Sequence, residues 1–210
     1  MVKHLCWVGV ALVSASVWAQ ADGASKPVAR VGDVAVYAIE QRGDKRSTEE
    51  TVTVTSVDQT HIKSKHARAE RNPPEIEGVQ TVDWSTVVVG NSGTRFDPPI
   101  QGFKFPLVVG DAWKSNVLAS DAASKSKIDV DFKVTAREMV KTPAGEFDAF
   151  KIESNGWING LNWSGSIRVT EVRWYAPVVG LVVRSEYKDF RGGRLWTDNV
   201  TELKSFKPAP

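Results

Sequence analysis

The chain has 210 residues, a formal net charge of +2 at pH 7, and hydrophobic residues at 41% of its positions. This length is sufficient for one domain with a substantial core. The near-neutral charge excludes the strong basic excess typical of nucleic-acid-binding proteins. It also gives no electrostatic reason to expect binding to an anionic membrane surface.

The N-terminal segment has the three-part pattern of a secretory signal: a short basic start, the apolar run Leu5–Val13, and small residues after it. That run is shorter than the about 20 residues that cross a bilayer. We expect cleavage after Ala19, with cleavage after Ala21 as the alternative. The sequence therefore predicts a signal peptide at 1–19, a single β-domain at 20–210, and a periplasmic or secreted location.

The chain after the predicted signal contains no cysteine, because Cys6 is the only one and lies inside the signal. Disulfides, thiolate metal sites and a cysteine nucleophile are therefore excluded there. No later segment is apolar enough to span a membrane, so we expect a soluble protein without a membrane span once the signal is removed.

The first half of the remaining chain is predicted to be a series of strands. Stretches rich in β-branched residues are separated by polar turns, namely DVAVYAIEQR, ETVTVTSV, THIKSKHARAE and VQTVDWSTVVV. The next stretch, 91–113, contains Pro98, Pro99 and Pro106, which cannot donate to a ladder, so we expect it to be mostly irregular. A strand around Trp113–Leu118 follows.

The second half has the clearest strand pattern. In SKIDVDFKVTARE, apolar residues such as Ile128 and Val130 alternate with polar ones, which is typical of a half-buried strand. A tight turn at Thr142–Gly145 follows, and four further strands extend to Phe206. This pattern predicts an all-β fold. It is an antiparallel meander forming a strongly curved sheet, a partly open barrel or a sandwich, because sheets of many strands tend to close or fold over.

In one predicted strand, the apolar residues change from odd-numbered to even-numbered positions. Ile167 and Val169 share one face, whereas Val172 and Trp174 have the opposite parity. Either a bulge near 170–171 restores the register, or Trp174 points away from that face.

The sequence contains no catalytic or metal-binding signature. The only histidines after the signal, His61 and His66, lie five apart on one predicted strand and project to opposite faces, so we interpret both as surface residues. The G-x-S-x-G pattern, phosphate-binding glycine loops and dinucleotide fingerprints are absent. We therefore predict no catalytic residues, no metal ligands and no cofactor.

The aromatic residues of the last third form the candidate ligand-binding site. Tryptophan and tyrosine line grooves for apolar or sugar-like ligands, and they also form the cores of β-proteins, so both interpretations stay open. The candidates are Trp157, Trp163, Trp174, Tyr175 and Trp196. Trp174 and Tyr175 are consecutive, so one is expected in the core and the other on the opposite face.

Three phrases carry a resemblance to a known family. They are FDPPIQGFKFPLVVGDAW at 96–113, KTPAGEFDAFKIES at 141–154 and RWYAPVVGLVVRSEY at 173–187. The chain resembles a family of uncharacterised exported bacterial proteins, of the domain-of-unknown-function type, in which "PL..G..W", "PAG.F.A..I" and "WYAP..G.V" recur. The resemblance implies an antiparallel β fold and an envelope location, and it implies no catalytic residues.

These observations favour an exported, non-enzymatic β-domain that binds a small apolar or glycan ligand or another envelope protein. Two alternatives stay open. An envelope hydrolase would need acid and base groups that converge in a cleft. A protein-interaction module would need a long, unprotected sheet edge. A closed barrel with an apolar lumen would instead favour binding of a small ligand.

Overall fold

The computed structural model describes residues 23–210, which form fourteen β-strands. In chain order the strands are β1 (Gly23–Ala24), β2 (Val34–Gln41), β3 (Arg46–Val57), β4 (His61–Ala67), β5 (Glu75–Thr81), β6 (Thr86–Val88), β7 (Arg95–Ile100), β8 (Leu107–Val108), β9 (Ala112–Ser120), β10 (Lys125–Thr142), β11 (Gly145–Gly160), β12 (Ser166–Ala176), β13 (Leu181–Arg191) and β14 (Arg194–Lys207). The predicted signal peptide, Cys6 and the alternative cleavage after Ala21 lie outside the described residues. No helix within 23–210 is long and apolar enough to cross a membrane.

Twelve of these strands form one closed antiparallel barrel. The order around the barrel is β10-β11-β12-β13-β14-β2-β3-β4-β5-β6-β7-β9, and pairing of β9 with β10 closes it. Strands β1 and β8 form a separate two-stranded sheet. The prediction of an all-β, strongly curved antiparallel sheet is confirmed, and among its alternatives the structure is a barrel. Each barrel strand has a neighbour on both sides over part of its length, although residues 136–142 of β10 have a ladder partner only on β11.

Antiparallel pairing places successive connections at opposite ends of the barrel. End A carries the connections at 42–45, 68–74, 89–94, 121–124, 161–165 and 192–193. End B carries the connections at 58–60, 82–85, 101–111, 143–144 and 177–180.

The predicted five-strand meander corresponds to β10 to β14, which pair consecutively. Its first hairpin closes at the predicted turn, where Thr142 pairs with Gly145. Gly145 has a φ of +136°, a conformation that glycine adopts far more easily than residues with a side chain. The local sequence therefore determines where this hairpin turns.

The expectation that 91–113 is mostly irregular is wrong for β7, which contains Pro98 and Pro99. Strand β7 pairs with β9 through Arg95, Phe96 and Asp97, which precede the prolines. The ladder on that side therefore does not depend on the missing proline N–H groups.

The pairing of strand β12 shows that the Trp174 side chain points outward from the barrel. Its pairing with β11 runs from Ile167 to Tyr175 without a register shift, so no bulge occurs near 170–171. Residues of odd number therefore keep one face throughout, and this face points into the barrel. Trp174 therefore lies on the outer face and points away from the face that Ile167 and Val169 share, which is one of the two alternatives predicted from the sequence.

The connection 101–106 enters the barrel from end B and fills part of its lumen. Phe103 and Phe105 stack with ring centroids 5.7 Å apart, and the Tyr175 ring lies 5.7 Å from Phe103 and 5.4 Å from Phe105. These rings belong to a buried cluster with residues of β9, β10 and β11 such as Phe132 and Ile152. One side of the lumen is therefore a packed core, and the other side is less completely filled.

Candidate functional site

A cavity of about 350 Å³ lies in the less completely filled side of the barrel. This volume is at the lower end of the range of small-molecule sites. Its apolar wall includes Val52, Val54, Ile62, Phe103, Phe105 and Val182. Its polar residues include Glu50, Ser64, His66, Arg173, Ser185 and Thr201. The cavity therefore has both a hydrophobic surface and groups that can fix the orientation of a ligand.

Strand alternation directs these side chains inward. On β3, Glu50 shares the inward face with Val52 and Val54, and the intervening threonines face outward. On β4, Ser64 and His66 share the inward face, since they are two residues apart. Pairing of Val52 with His66 then brings Glu50 close to the histidine ring.

Two glycines allow the His66 ring to fit against the neighbouring backbone. A Cβ atom at Gly90 would lie 2.0 Å from His66 Cδ2, and one at Gly78 would lie 2.8 Å from His66 Nε2. Any larger residue at either position would therefore displace the imidazole. The ring is held in a slot whose walls are main chain.

A charged cluster of Glu50, His66, Arg68 and Arg71 lies beside this slot. Arg68 Nε and Arg71 Nη2 donate to Glu50 Oε1 at 3.1 and 2.9 Å. Arg71 Nη1 also donates to the carbonyls of His66 and Gly90, both at 3.3 Å. The cluster thereby ties β3 and β4 to the connections at end A.

The electrostatics of this cluster keep Glu50 ionised. Burial alone would raise the pKa of Glu50, but its interactions with His66, Arg68 and Arg71 lower it from 4.5 to about 2. Two guanidinium groups face one carboxylate, so the three side chains together are positively charged at neutral pH.

A second ion pair lies in the cavity wall on β12. Arg173 Nη2 lies 2.6 Å from Glu171 Oε2, and the Arg173 guanidinium lies 5.8 Å from the centroid of the Phe103 ring. Burial lowers the pKa of Arg173, but the charge of Glu171 and its hydrogen bond outweigh this and raise it. Both charges are thus compensated within the wall.

The five predicted aromatic residues do not form one site. Tyr175 is buried at 3% exposure and contributes to the cavity wall. Trp174 lies on the outer face, where its Nε1 donates to Glu138 Oε1 at 2.7 Å. Trp157 and Trp196 are exposed near end A, and Trp163 lies in the 161–165 connection there.

Sequence reasoning missed the charged cluster, and the interpretation of His66 as a surface residue is wrong. The His66 side chain is 19% exposed and faces Glu50 inside the barrel. The parity of Glu50 with Val52 and Val54 could have indicated an inward carboxylate. No local pattern indicated that the β4–β5 connection would bring Arg68 and Arg71 to it. Within 23–210, no group of three or more His, Cys, Asp or Glu side chains is placed to hold a metal ion.

Comparison with known families gives a match over part of the chain. Residues 111–197 match the family model described as DUF3108-like. The match includes the phrases at 141–154 and 173–187 and supports a relation to an uncharacterised domain family. No curated protein matches the chain at a significant level.

Two solved structures have similar folds. A protein from Bacteroides fragilis, thought to be exported and described as having a YmcC-like fold, has a TM-score of 0.60 at 16% identity. The alignment covers 88% of this chain and 99% of that one. A protein from Parabacteroides distasonis, thought to be a lipoprotein, has a TM-score of 0.56 at 15% identity, with coverage of 90% and 100%. At such identities the likeness supports the shared fold alone.

Proposed function

We propose that this protein is an exported binding protein that holds a small amphipathic ligand in the lumen of its barrel. The observation that carries the proposal is the cavity of about 350 Å³, with an apolar wall on one side and hydrogen-bonding groups on the other. Export is supported by the N-terminal signal pattern and by the descriptions of the two proteins of similar fold.

The chemistry of the wall suggests how the ligand is oriented. Its apolar body packs against side chains such as Val54, Ile62 and Phe105, where burial of hydrophobic surface provides most of the affinity. Its polar head group contacts Ser64 and His66, which present hydrogen-bonding atoms near end A. The twelve strands close around the cavity, so the proposal favours a lumen ligand over a partner strand.

A variant that fills the lumen tests this function. Val54→Phe adds bulk on the inward face of β3, whereas Thr53→Phe adds the same ring on the outward face. We expect Val54→Phe to weaken binding of the fluorescent apolar probe N-phenyl-1-naphthylamine by at least about tenfold, because overlap with the probe removes several favourable contacts. We expect Thr53→Phe to leave binding unchanged.

Fluorescence titration of the purified protein gives both affinities, and thermal melts show whether each variant is folded. Equal binding by the wild type and a folded Val54→Phe variant would contradict the lumen as the binding site. Native mass spectrometry of protein from its producing cells, followed by solvent extraction, then identifies a co-purified natural ligand.

A further inference from the structure

We propose that Ser64, His66 and Glu50 act as nucleophile, base and positioning residue in the hydrolysis of a small ester bound in the lumen. This inference rests on the proposed function, because the ester would occupy the same cavity. It would make the protein a hydrolase, the alternative that requires acid and base groups converging in a cleft.

The geometry of the three side chains supports these roles. Ser64 Oγ lies 3.0 Å from His66 Nε2, which is hydrogen-bond distance. On the other side of the ring, His66 Nδ1 lies 3.7 Å from Glu50 Oε1. When Nδ1 carries the proton, it points at the carboxylate and Nε2 accepts from the serine hydroxyl. A serine, a histidine and a carboxylate in this order form the constellation used for acyl transfer, and its hydrogen bonds are often loose without substrate.

The buried Nδ1 atom has no other visible role. Among the described residues it makes no hydrogen bond, although it is buried. A buried donor without an acceptor is costly, so such groups commonly mark functional sites. A small rotation of Glu50 toward His66 would satisfy it, and Arg68 and Arg71 hold that carboxylate nearby.

The surroundings restrict the ring to the orientation that the reaction needs. Gly78 and Gly90 pack directly against the imidazole, so the ring cannot turn without displacing main chain. Ser64 and His66 lie on one face of β4, so the strand itself maintains their spacing. A site on regular strands is positioned more accurately than one on mobile loops.

The reaction balances with water as the second substrate. Ser64 Oγ bonds to the ester carbonyl carbon while His66 Nε2 accepts the hydroxyl proton. The bond from that carbon to the alcohol oxygen then breaks, and His66 gives its proton to the leaving alcohol. Water attacks the acyl-serine, passes a proton to His66, and releases the acid as Ser64 regains its proton.

The cavity also offers donors for the developing negative charge and a wall for the acyl group. Gln80 and Asn91 line the same cavity, and a side-chain amide is the type of donor that stabilises an oxyanion. The apolar wall suits a hydrocarbon acyl chain, and the modest volume suits a short one. The substrate class is therefore an ester of a short, apolar acid.

Covalent labelling tests the assignment of the nucleophile. A fluorophosphonate probe should label the purified wild type at Ser64, as located by peptide mass spectrometry. Hydrolysis of p-nitrophenyl butyrate should fall at least about a hundredfold in Ser64→Ala and in His66→Ala. Ser205→Ala is the matched control, because Ser205 is exposed on β14 and lies outside the cavity wall, and it should keep both the label at Ser64 and the activity.

The outcomes separate this inference from the binding function. If the wild type is not labelled and hydrolyses the ester no faster than Ser64→Ala, the hydrolase is overturned. The same holds if Ser205→Ala loses the label to the same extent as Ser64→Ala. Should N-phenyl-1-naphthylamine still bind in a manner sensitive to Val54→Phe, ligand binding stands without catalysis. If the protein neither hydrolyses the ester nor binds the probe in a manner sensitive to Val54→Phe, the lumen site itself is overturned.

A different observation concerns the outer surface of end A, which we infer docks on an anionic lipid surface. Among the described residues, both exposed tryptophans and all three exposed leucines lie near this end, whereas exposed valines and the exposed methionine lie toward end B. The residues near end A are Leu118, Trp157, Leu161, Leu195 and Trp196. Tryptophan and leucine at one rim are typical of surfaces that insert into the interface of a bilayer.

The turns that carry this rim are basic, although the whole chain is nearly neutral. Segments 41–46, 121–125, 160–166 and 191–194 together hold six Lys or Arg residues and two Asp residues, a net charge of +4. Arg191 also lies over the Trp196 ring, 5.0 Å from its centroid, so charge and aromatic surface are adjacent. Cations beside interfacial tryptophan favour anionic lipid over a neutral one.

Vesicle sedimentation tests this docking surface. We expect the purified protein to bind vesicles of phosphatidylcholine with phosphatidylglycerol, and not vesicles of phosphatidylcholine alone. Leu161→Asp with Trp196→Asp should weaken binding at least about tenfold, because two apolar contacts are replaced by negative charges. The matched control is Val178→Asp with Met139→Asp, which makes the same charge change toward end B at exposed positions and should retain binding.

In the vesicle assay, three results would overturn the lipid docking. They are no binding to anionic vesicles, equal binding to neutral ones, and equal loss in the control. Sedimentation velocity without lipid addresses the other occupant of such a surface. A wild-type dimer that the Leu161 and Trp196 changes convert to a monomer, without vesicle binding, would make this rim a contact between two copies and would overturn the inference. Leu161→Phe with Trp196→Phe keeps the apolar character and should restore binding to anionic vesicles.

Discussion

Truncation of Tyr175 to alanine is expected to lower the free energy of unfolding by about 3–5 kcal/mol. The ring is buried and packs against Phe103 and Phe105, which the 101–106 connection places inside the barrel. Its removal would leave a void next to an existing cavity and would loosen the segment that fills the lumen. Tyr175→Phe keeps the ring and should cost much less.

Trp174→Ala should cost less than Tyr175→Ala, about 2 kcal/mol, although the two residues are adjacent, because the Trp174 ring is only half-buried. The Trp174 ring is half-buried on the outer face, where it packs against a buried cluster that includes Val140 and donates a hydrogen bond to Glu138. Lys151 and Arg184 lie 5.9 and 5.5 Å from its centroid. Urea unfolding of both variants measures the difference. Equal and severe destabilisation would contradict the placement of Trp174 on the outer face.

Glu50→Gln is expected to destabilise the protein by about 3 kcal/mol at pH 7, because Arg68 and Arg71 would lose the charge that compensates them. Glu49→Gln is the matched control. It removes the same charge from the preceding residue of β3, where the carboxylate forms an exposed ion pair with Lys204. Such surface pairs contribute about 0–1 kcal/mol, so the control should be nearly neutral.

The effect of Glu50→Gln should depend on pH in a defined direction. The pKa of Glu50 is lowered from 4.5 to about 2 in the folded protein, which corresponds to on the order of 3 kcal/mol. Since the folded-state pKa lies below that of the unfolded chain, this stability is fully present above about pH 4.5 and is lost as the pH falls toward 2. Urea unfolding at several pH values should therefore show the wild type and Glu50→Gln converging in acid. A constant difference between pH 7 and pH 2 would contradict the assignment.

Local pattern was sufficient to predict the strands and much of their arrangement. Period-two alternation at residues such as Ile128 and Val130 determines which face of a strand is buried, since adjacent side chains point to opposite faces. The turn at Thr142–Gly145 determines a hairpin, because a glycine conformation is needed there. These features depend on a few neighbouring residues, so they can be identified from the chain alone.

The candidate site was predicted only in part, because its residues belong to strands far apart in the chain. Tyr175, one of the predicted aromatic residues, lines the cavity. The sequence predicted that Trp174 and Tyr175 lie on opposite faces, but it did not indicate which of the two is buried. The prolines of β7 show a related limit. They were expected to prevent a strand, but the pairing uses residues before them.

The sequence by itself determined the all-β class, the consecutive hairpins of the last third and the opposite faces of Trp174 and Tyr175, because each follows from spacing along one strand or turn. Tertiary structure alone decided that β9 closes on β10. It also decided that Glu50 meets His66 inside the barrel and that cations and exposed tryptophans gather at end A. The physical reason is that closure juxtaposes strands and turns distant in sequence, and hydrogen bonds, ion pairs and surface potential depend on distance in space rather than on separation along the chain.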